Sequence, residues 1–230
     1  MAGDMVSFPS NGTRGEGYLA VPASGSGPGV LVIQEWWGLN GQIKGVVDRL
    51  AGEGFVALAP DLYRGAHASE PDEAAKLMMS LNLERATKDL SGAVDYLAAH
   101  DAVTSDGIGV IGFCMGGGVT LWLATLRPDR VKAAVPFYGI IPWEAAQPDF
   151  SKLAAVVQGH YAENDDFANQ ESVRALEAQL KGLGKLCEFF TYPGTGHAFT
   201  NEENPGGYAP EATAIAMDRA VKFLHAQLDS

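Results

Sequence analysis

The run Gly29-Val30-Leu31-Val32-Ile33 is apolar at every position instead of alternating with polar residues. A strand without a polar face must be covered on both sides, which places it inside a sheet held between helices. Similar runs recur at residues 55–59, 108–112, 131–137 and 153–157. Between and after them, helical periodicity marks 41–53, 72–99 in two pieces, 115–126, 169–180 and 211–228. A strand pair near 5–8 and 17–21 and a late strand at 187–191 complete the series. Strand alternating with helix implies an α/β class, with a mostly parallel central sheet flanked by helices on both faces. The loop-like stretches 24–28 and 201–207 are too short to divide the chain, so residues 1–230 read as one domain. The spacing of Leu90, Val94 and Leu97 reads as a core-facing helix stripe.

Sixteen basic against 28 acidic side chains leave a formal net charge of -12, which argues against nucleic acid or an anionic membrane surface as a partner. No stretch reaches the roughly 18 to 20 apolar residues a spanning helix needs, the longest candidates being broken by Gly, Pro or charge. The start, Met1-Ala2-Gly3-Asp4-Met5-Val6, lacks the basic-then-apolar pattern of a secretory signal, so a cytoplasmic location is expected. Cys114 and Cys187 match no metal-ligand spacing. The expected partner is a small molecule, with no cofactor and no metal, and the chain is expected to be a monomer or a weak homo-oligomer.

The segment Gly109-Val110-Ile111-Gly112-Phe113-Cys114-Met115-Gly116-Gly117-Gly118 leads from an expected strand into an expected helix. Its Gly-x-Cys-x-Gly core has the form of a nucleophile elbow, a turn so sharp that side chains two positions either side of the nucleophile would collide with neighbouring elements. Such a turn exposes the thiol above the sheet and aims the Met115 amide at a reacting carbonyl oxygen. It also sets the sulfur at a helix N-terminus, which favours thiolate. Taken alone, the pentapeptide fits a small buried cysteine at a tight junction equally well.

A base and an acid later in the chain, in the order this elbow requires, favour the catalytic reading. His197 lies in the Gly-rich stretch Tyr192-Pro193-Gly194-Thr195-Gly196-His197-Ala198-Phe199. The acid is expected in the turn Asn164-Asp165-Asp166-Phe167, with Asp165 assigned the role and Asp166 read as a capping or solvated neighbour. His160 closes a core strand but precedes the acid, and His67, His100 and His225 read as surface residues. A second oxyanion donor is expected from the loop Gln34-Glu35-Trp36-Trp37-Gly38-Leu39-Asn40. Glu35 there is either a carboxylate bonded to nearby backbone or a buried acid that holds the Cys114 thiol or shapes its pKa.

These residues resemble the dienelactone hydrolases (carboxymethylenebutenolidases), the cysteine-nucleophile branch of the α/β-hydrolase fold. The likeness runs from about residue 17 to the C-terminus and is most specific in Gln34-Glu35-Trp36-Trp37-Gly38, Ala59-Pro60-Asp61-Leu62-Tyr63, Gly112-Phe113-Cys114-Met115-Gly116-Gly117, Asp165-x-Phe167 and Gly196-His197-x-Phe199. The resemblance implies Cys114 as nucleophile, His197 as base and then acid, and Asp165 as its orienter. It further implies an oxyanion hole from the Trp36 and Met115 amides and a substrate pocket at Trp37, Tyr63, Ala198, Phe199 and Asn201. Glu35 would hold the resting thiol until substrate arrives, making the free enzyme slow to alkylate. The family's substrate carboxylate is held by arginines with a serine and a tyrosine, whereas Ala198 and Asn201 stand where that pattern has Ser and Arg, and 71–75 lacks the other Arg and the Tyr. Glu202 and Glu203 add negative charge near the expected mouth. The expected activity is therefore hydrolysis of small neutral or differently anchored esters or lactones through an acyl thioester. Two other readings remain open on sequence alone: a non-catalytic α/β-hydrolase domain that binds a small ligand or a protein, and a redox role for Cys114 with Cys187.

Overall fold

The computed structural model describes residues 2–10, 12–204 and 206–229. In chain order the strands are β1 (Asp4–Ser10), β2 (Thr13–Ala20), β3 (Gly27–Ile33), β4 (Val56–Pro60), β5 (Val103–Phe113), β6 (Val131–Phe137), β7 (Val156–Asn164) and β8 (Cys187–Gly196). The helices are α1 (Gly41–Gly52), α2 (Pro71–Met79), α3 (Leu83–Ala98), α4 (Met115–Leu126), α5 (Gln170–Gly182) and α6 (Pro210–Leu228). The strands form one sheet in the order β1-β2-β4-β3-β5-β6-β7-β8. β1 and β2 pair antiparallel and β2 joins β4 antiparallel, while the pairs from β4 through β8 are parallel.

The doubly apolar strand runs follow from two separate cores. Leu31 and Ile33 of β3, Leu58 of β4 and Val110 of β5 pack with Leu90, Val94 and Leu97 of α3 and with α4. Val30 and Val32, Ala57 and Ala59, and Ile111 face the other way, onto Ile43, Val47 and Leu50 of α1 and Ala220 and Leu224 of α6. Alternate side chains of one strand thus enter different layers, so neither face can be polar. Helix starts follow local chemistry: the side chains of Asn40, Asn82 and Asn169 accept from the amides of Ile43, Arg85 and Ser172 at the heads of α1, α3 and α5. Among the described residues no helix is long and apolar enough to cross a membrane.

The strand expected at 153–157 lies further along, at Val156–Asn164, because the polar Gln158 and His160 are buried with partners. His160 is fully buried, its Nδ1 2.8 Å from the Tyr192 hydroxyl and its Nε2 3.1 Å from Gln158 Oε1, and it stacks on Phe137. Strand β8 runs on to Gly196, beyond the expected 187–191 and through most of the Gly-rich stretch. His225 is not a free surface residue: it stacks on Phe55 with centroids 4.2 Å apart and bonds the Glu53 carbonyl at 2.9 Å. Within the loop expected at 201–207, Pro205 lies outside the described residues.

Candidate active site

The C-terminal ends of β3, β5, β6 and β7 open onto one crevice, the usual site for chemistry in a parallel sheet. Beyond β5, Cys114 takes φ 54° and ψ -120°, a conformation that costs roughly 1–3 kcal/mol for a residue with a side chain. The turn is held on both sides: the Cys114 amide donates to Phe137 O at 3.1 Å and the Gly117 amide to Cys114 O at 2.9 Å. A Cβ on Gly112 would lie 2.1 Å from Gly116 O, and one on Gly116 would lie 2.5 Å from both Ile33 O and Gln34 O. Glycine is therefore a steric requirement at both positions.

His197 follows β8 and lies with Nε2 3.1 Å from Cys114 Sγ. Its Nδ1 is 2.8 Å from Asp165 Oδ2, while Asp165 Oδ1 accepts from the amides of Phe167 at 2.8 Å and Ala168 at 3.1 Å. The Asp165 side chain is wholly buried, whereas Asp166 is exposed and the cap of α5 is Asn169. Burial works against a charged imidazole, but the hydrogen bonds and charges of Asp165 and Cys114 outweigh it and lift His197 to about 10. Burial likewise opposes ionisation of Asp165, and its bonds to His197, Phe167 and Ala168 overcome this and lower its pKa.

Glu35 is 1% exposed and bonds side chains rather than backbone. The Tyr138 hydroxyl donates to its Oε1 at 3.2 Å and Asn201 Nδ2 to its Oε2 at 2.8 Å. Burial pushes this carboxyl up to about 7, although the His197 charge and the bonds from Tyr138 and Asn201 pull the other way. The thiol's hydrogen bond goes to His197, so the expectation that Glu35 holds it is not met here. Tyr138 was not legible in the sequence. It follows β6 with φ 35°, is fully buried, stands edge-on to His197 at 5.3 Å and lies 2.6 Å from Thr200 Oγ1. The available signal was a Tyr-Gly pair closing the strand beside the elbow strand.

A cleft of about 970 Å³ surrounds these groups, walled by Trp36, Trp37, Met78, Ile140, Pro142 and Phe167, with Ala198 and Asn201 also at its surface. The amides of Trp36 and Met115 engage no acceptor among the described residues. Two expected pocket residues lie elsewhere. Phe199 is fully buried between Tyr138 and Tyr192, and Tyr63 packs behind Met115 with its hydroxyl 3.5 Å from Sδ. Glu203 lines the cleft, but Glu202 points off to an ion pair with Arg49 at 2.9 Å. His67 is exposed and borders the same cleft. No Lys or Arg lies among the described lining residues. Both cysteines are free thiols, and Cys187 begins β8 whereas Cys114 follows the end of β5, which puts them at opposite ends of the parallel strands. Among the described residues no three His, Cys, Asp or Glu side chains gather as metal ligands.

Residues 16–228 match the model of the dienelactone hydrolase family. The protein usf of Aquifex pyrophilus is 36% identical over 96% of this chain and 97% of its own. An Aquifex aeolicus protein assigned as a carboxymethylenebutenolidase is 34% identical over 98% of this chain and 99% of its own. A crystal structure from Klebsiella pneumoniae assigned as a dienelactone hydrolase superposes with a TM-score of 0.87 at 28% identity, covering 98% of each chain.

Proposed function

The chain belongs to the dienelactone hydrolase family and is an ester or lactone hydrolase on the α/β-hydrolase fold; from that premise we propose that it cleaves small uncharged esters or lactones through Cys114, His197 and Asp165. The observation that carries this reading is the 3.1 Å approach of His197 Nε2 to Cys114 Sγ, with Nδ1 of the same ring anchored on Asp165 at 2.8 Å. Asp165 fixes the tautomer, so Nε2 is the nitrogen free to exchange a proton with the sulfur.

In this mechanism Sγ, as thiolate, attacks the carbonyl carbon and the oxygen takes up negative charge facing the Trp36 and Met115 amides. Collapse expels the alkoxide, which takes the proton from His197 Nε2, and leaves an acyl thioester. His197 then removes a proton from water, the hydroxide adds to the thioester carbonyl, and the acid product leaves as the Cys114 thiolate re-forms beside protonated His197. The free amides of Met115 at the elbow and of Trp36 after β3, and the strain stored at Cys114, support this reading. The apolar walls and the lack of a Lys or Arg among the described lining residues support neutral substrates. A panel of p-nitrophenyl esters and simple lactones assayed on wild type and Cys114→Ala tests it. Turnover lost in the variant is expected, and turnover that survives the substitution, or none above background in wild type, overturns it.

A further inference from the structure

We propose that Thr200 and Asn201 are positioning residues that, with Tyr138, hold the Glu35 carboxylate off the Cys114 thiol, so that Cys114 is already paired with His197 before any substrate arrives. The inference rests on the Cys114–His197 reading above and reverses the expectation of a free enzyme slow to alkylate.

Each oxygen of Glu35 has its own donor. Asn201 Nδ2 lies 2.8 Å from Oε2, and the orientation of that amide is set from its other side, because Asn201 Oδ1 accepts from the Glu203 amide at 2.9 Å. The Tyr138 hydroxyl lies between Glu35 Oε1 at 3.2 Å and Thr200 Oγ1 at 2.6 Å. An ionised carboxylate only accepts, so Tyr138 donates to Glu35 and the Thr200 hydroxyl donates to Tyr138. The chain Thr200 to Tyr138 to Glu35 thus has one direction, and Thr200, Tyr138, Glu35 and Asn201 are all buried.

The clamp is built on a fixed loop. Thr200 and Asn201 follow His197 by three and four residues, and the Asn201 amide donates to Ala198 O at 2.9 Å. Phe199 is buried, and its carbonyl accepts from the Ala209 amide and from Thr213 Oγ1, both at 2.9 Å. One segment therefore supplies the imidazole that meets the thiol and the donors that keep the competing carboxylate away. His197 and Glu203 are the other charged or titratable groups acting on Glu35, with Tyr138.

The test is the second-order rate of iodoacetamide alkylation of Cys114 between pH 5 and 9, without substrate and in a Cys187→Ser background. Wild type is expected to react at pH 6 at least about tenfold faster than free cysteine, since a thiolate held by an imidazolium persists where an ordinary thiol is protonated. Thr200→Val and Asn201→Ala are each expected to slow it about tenfold at pH 8, where Glu35 is ionised, and to move the pH profile upward. Thr200→Ser should keep the wild-type rate, and Glu35→Gln added to either slow variant should restore it. A wild-type rate at or below that of free cysteine overturns the proposal, as do clamp variants that react like wild type or a slow variant that Glu35→Gln fails to restore. If one variant does not fold, the other and the wild-type rate still decide. Should Cys114→Ala keep ester turnover while alkylation follows this pattern, the triad reading fails and the clamp stands.

Discussion

Asp165 Oδ2 lies 2.8 Å from His197 Nδ1, while its Oδ1 is held by the Phe167 and Ala168 amides. Replacing it with asparagine keeps the shape but lets the imidazole adopt the wrong tautomer. Asp165→Asn is expected to lower kcat by roughly 10³ to 10⁴-fold in a steady-state ester assay. Asp166→Asn, at an exposed position, should stay within about twofold of wild type.

Glu35 makes the fold weaker at alkaline pH. Burial holds its carboxyl at about 7 in the folded chain against 4.5 for the ordinary group. The folded state therefore resists ionisation that the unfolded chain accepts above pH 4.5, and the loss grows until about pH 7, reaching on the order of 3 kcal/mol. Glu35→Gln should be more stable than wild type by about that amount in urea unfolding at pH 8, with the advantage fading toward pH 4.5.

His160 acts at the acid side. Burial first, and then the Arg219 charge, lower it from 6.5 to about 3. Above pH 6.5 it is neutral in both states; as pH falls the unfolded chain binds the proton and the folded chain does not. Stability is thus lost progressively between pH 6.5 and 3, by on the order of 3 kcal/mol at pH 4.5. His160→Gln should flatten the fall in unfolding free energy between pH 7.5 and 4.5 relative to wild type. Equal slopes in the two proteins would count against the assignment.

The described lining of the cleft holds Glu35 and Glu203 but no Lys or Arg, and the His197 charge there is already engaged by Asp165 and Cys114, so a substrate carboxylate finds no free counter-charge from Lys or Arg. For two esters of matched size, kcat/KM for the neutral one is expected to exceed that for the carboxylate-bearing one by at least about tenfold at low salt, with the gap narrowing as salt rises. A higher kcat/KM for cis-dienelactone than for p-nitrophenyl acetate would contradict this.

The parts that could be read from sequence are those fixed by short-range sterics. Leu31 and Val32 are both apolar because they enter different cores, and Gly112 and Gly116 flank Cys114 because a Cβ at either would strike backbone. Asp165 and Asp166 differ less in pattern than in direction, and the turn after β7 decides which carboxylate faces His197. Tyr138, marked only by the Tyr-Gly pair that closes its strand, and Thr200 escape a local reading, since their roles depend on partners 103 and 62 residues apart in the chain. Gln158 and His160 hid the length of β7 because their partners lie in the neighbouring strand and in each other. Phe199 and Tyr63 were placed in the pocket by motif neighbourhood, while core packing turns them away from it.

The central claim is that substrate passes through a thioester on Cys114. Acid-quenching wild type during turnover of a p-nitrophenyl ester and mapping the peptides by mass spectrometry tests it most directly. The account predicts one acyl mass increment on the peptide carrying Cys114, absent in Cys114→Ala and enriched in Asp165→Asn, where deacylation is slowed. Acyl mass on another residue, or turnover with no adduct on Cys114 under any quench time, would contradict it.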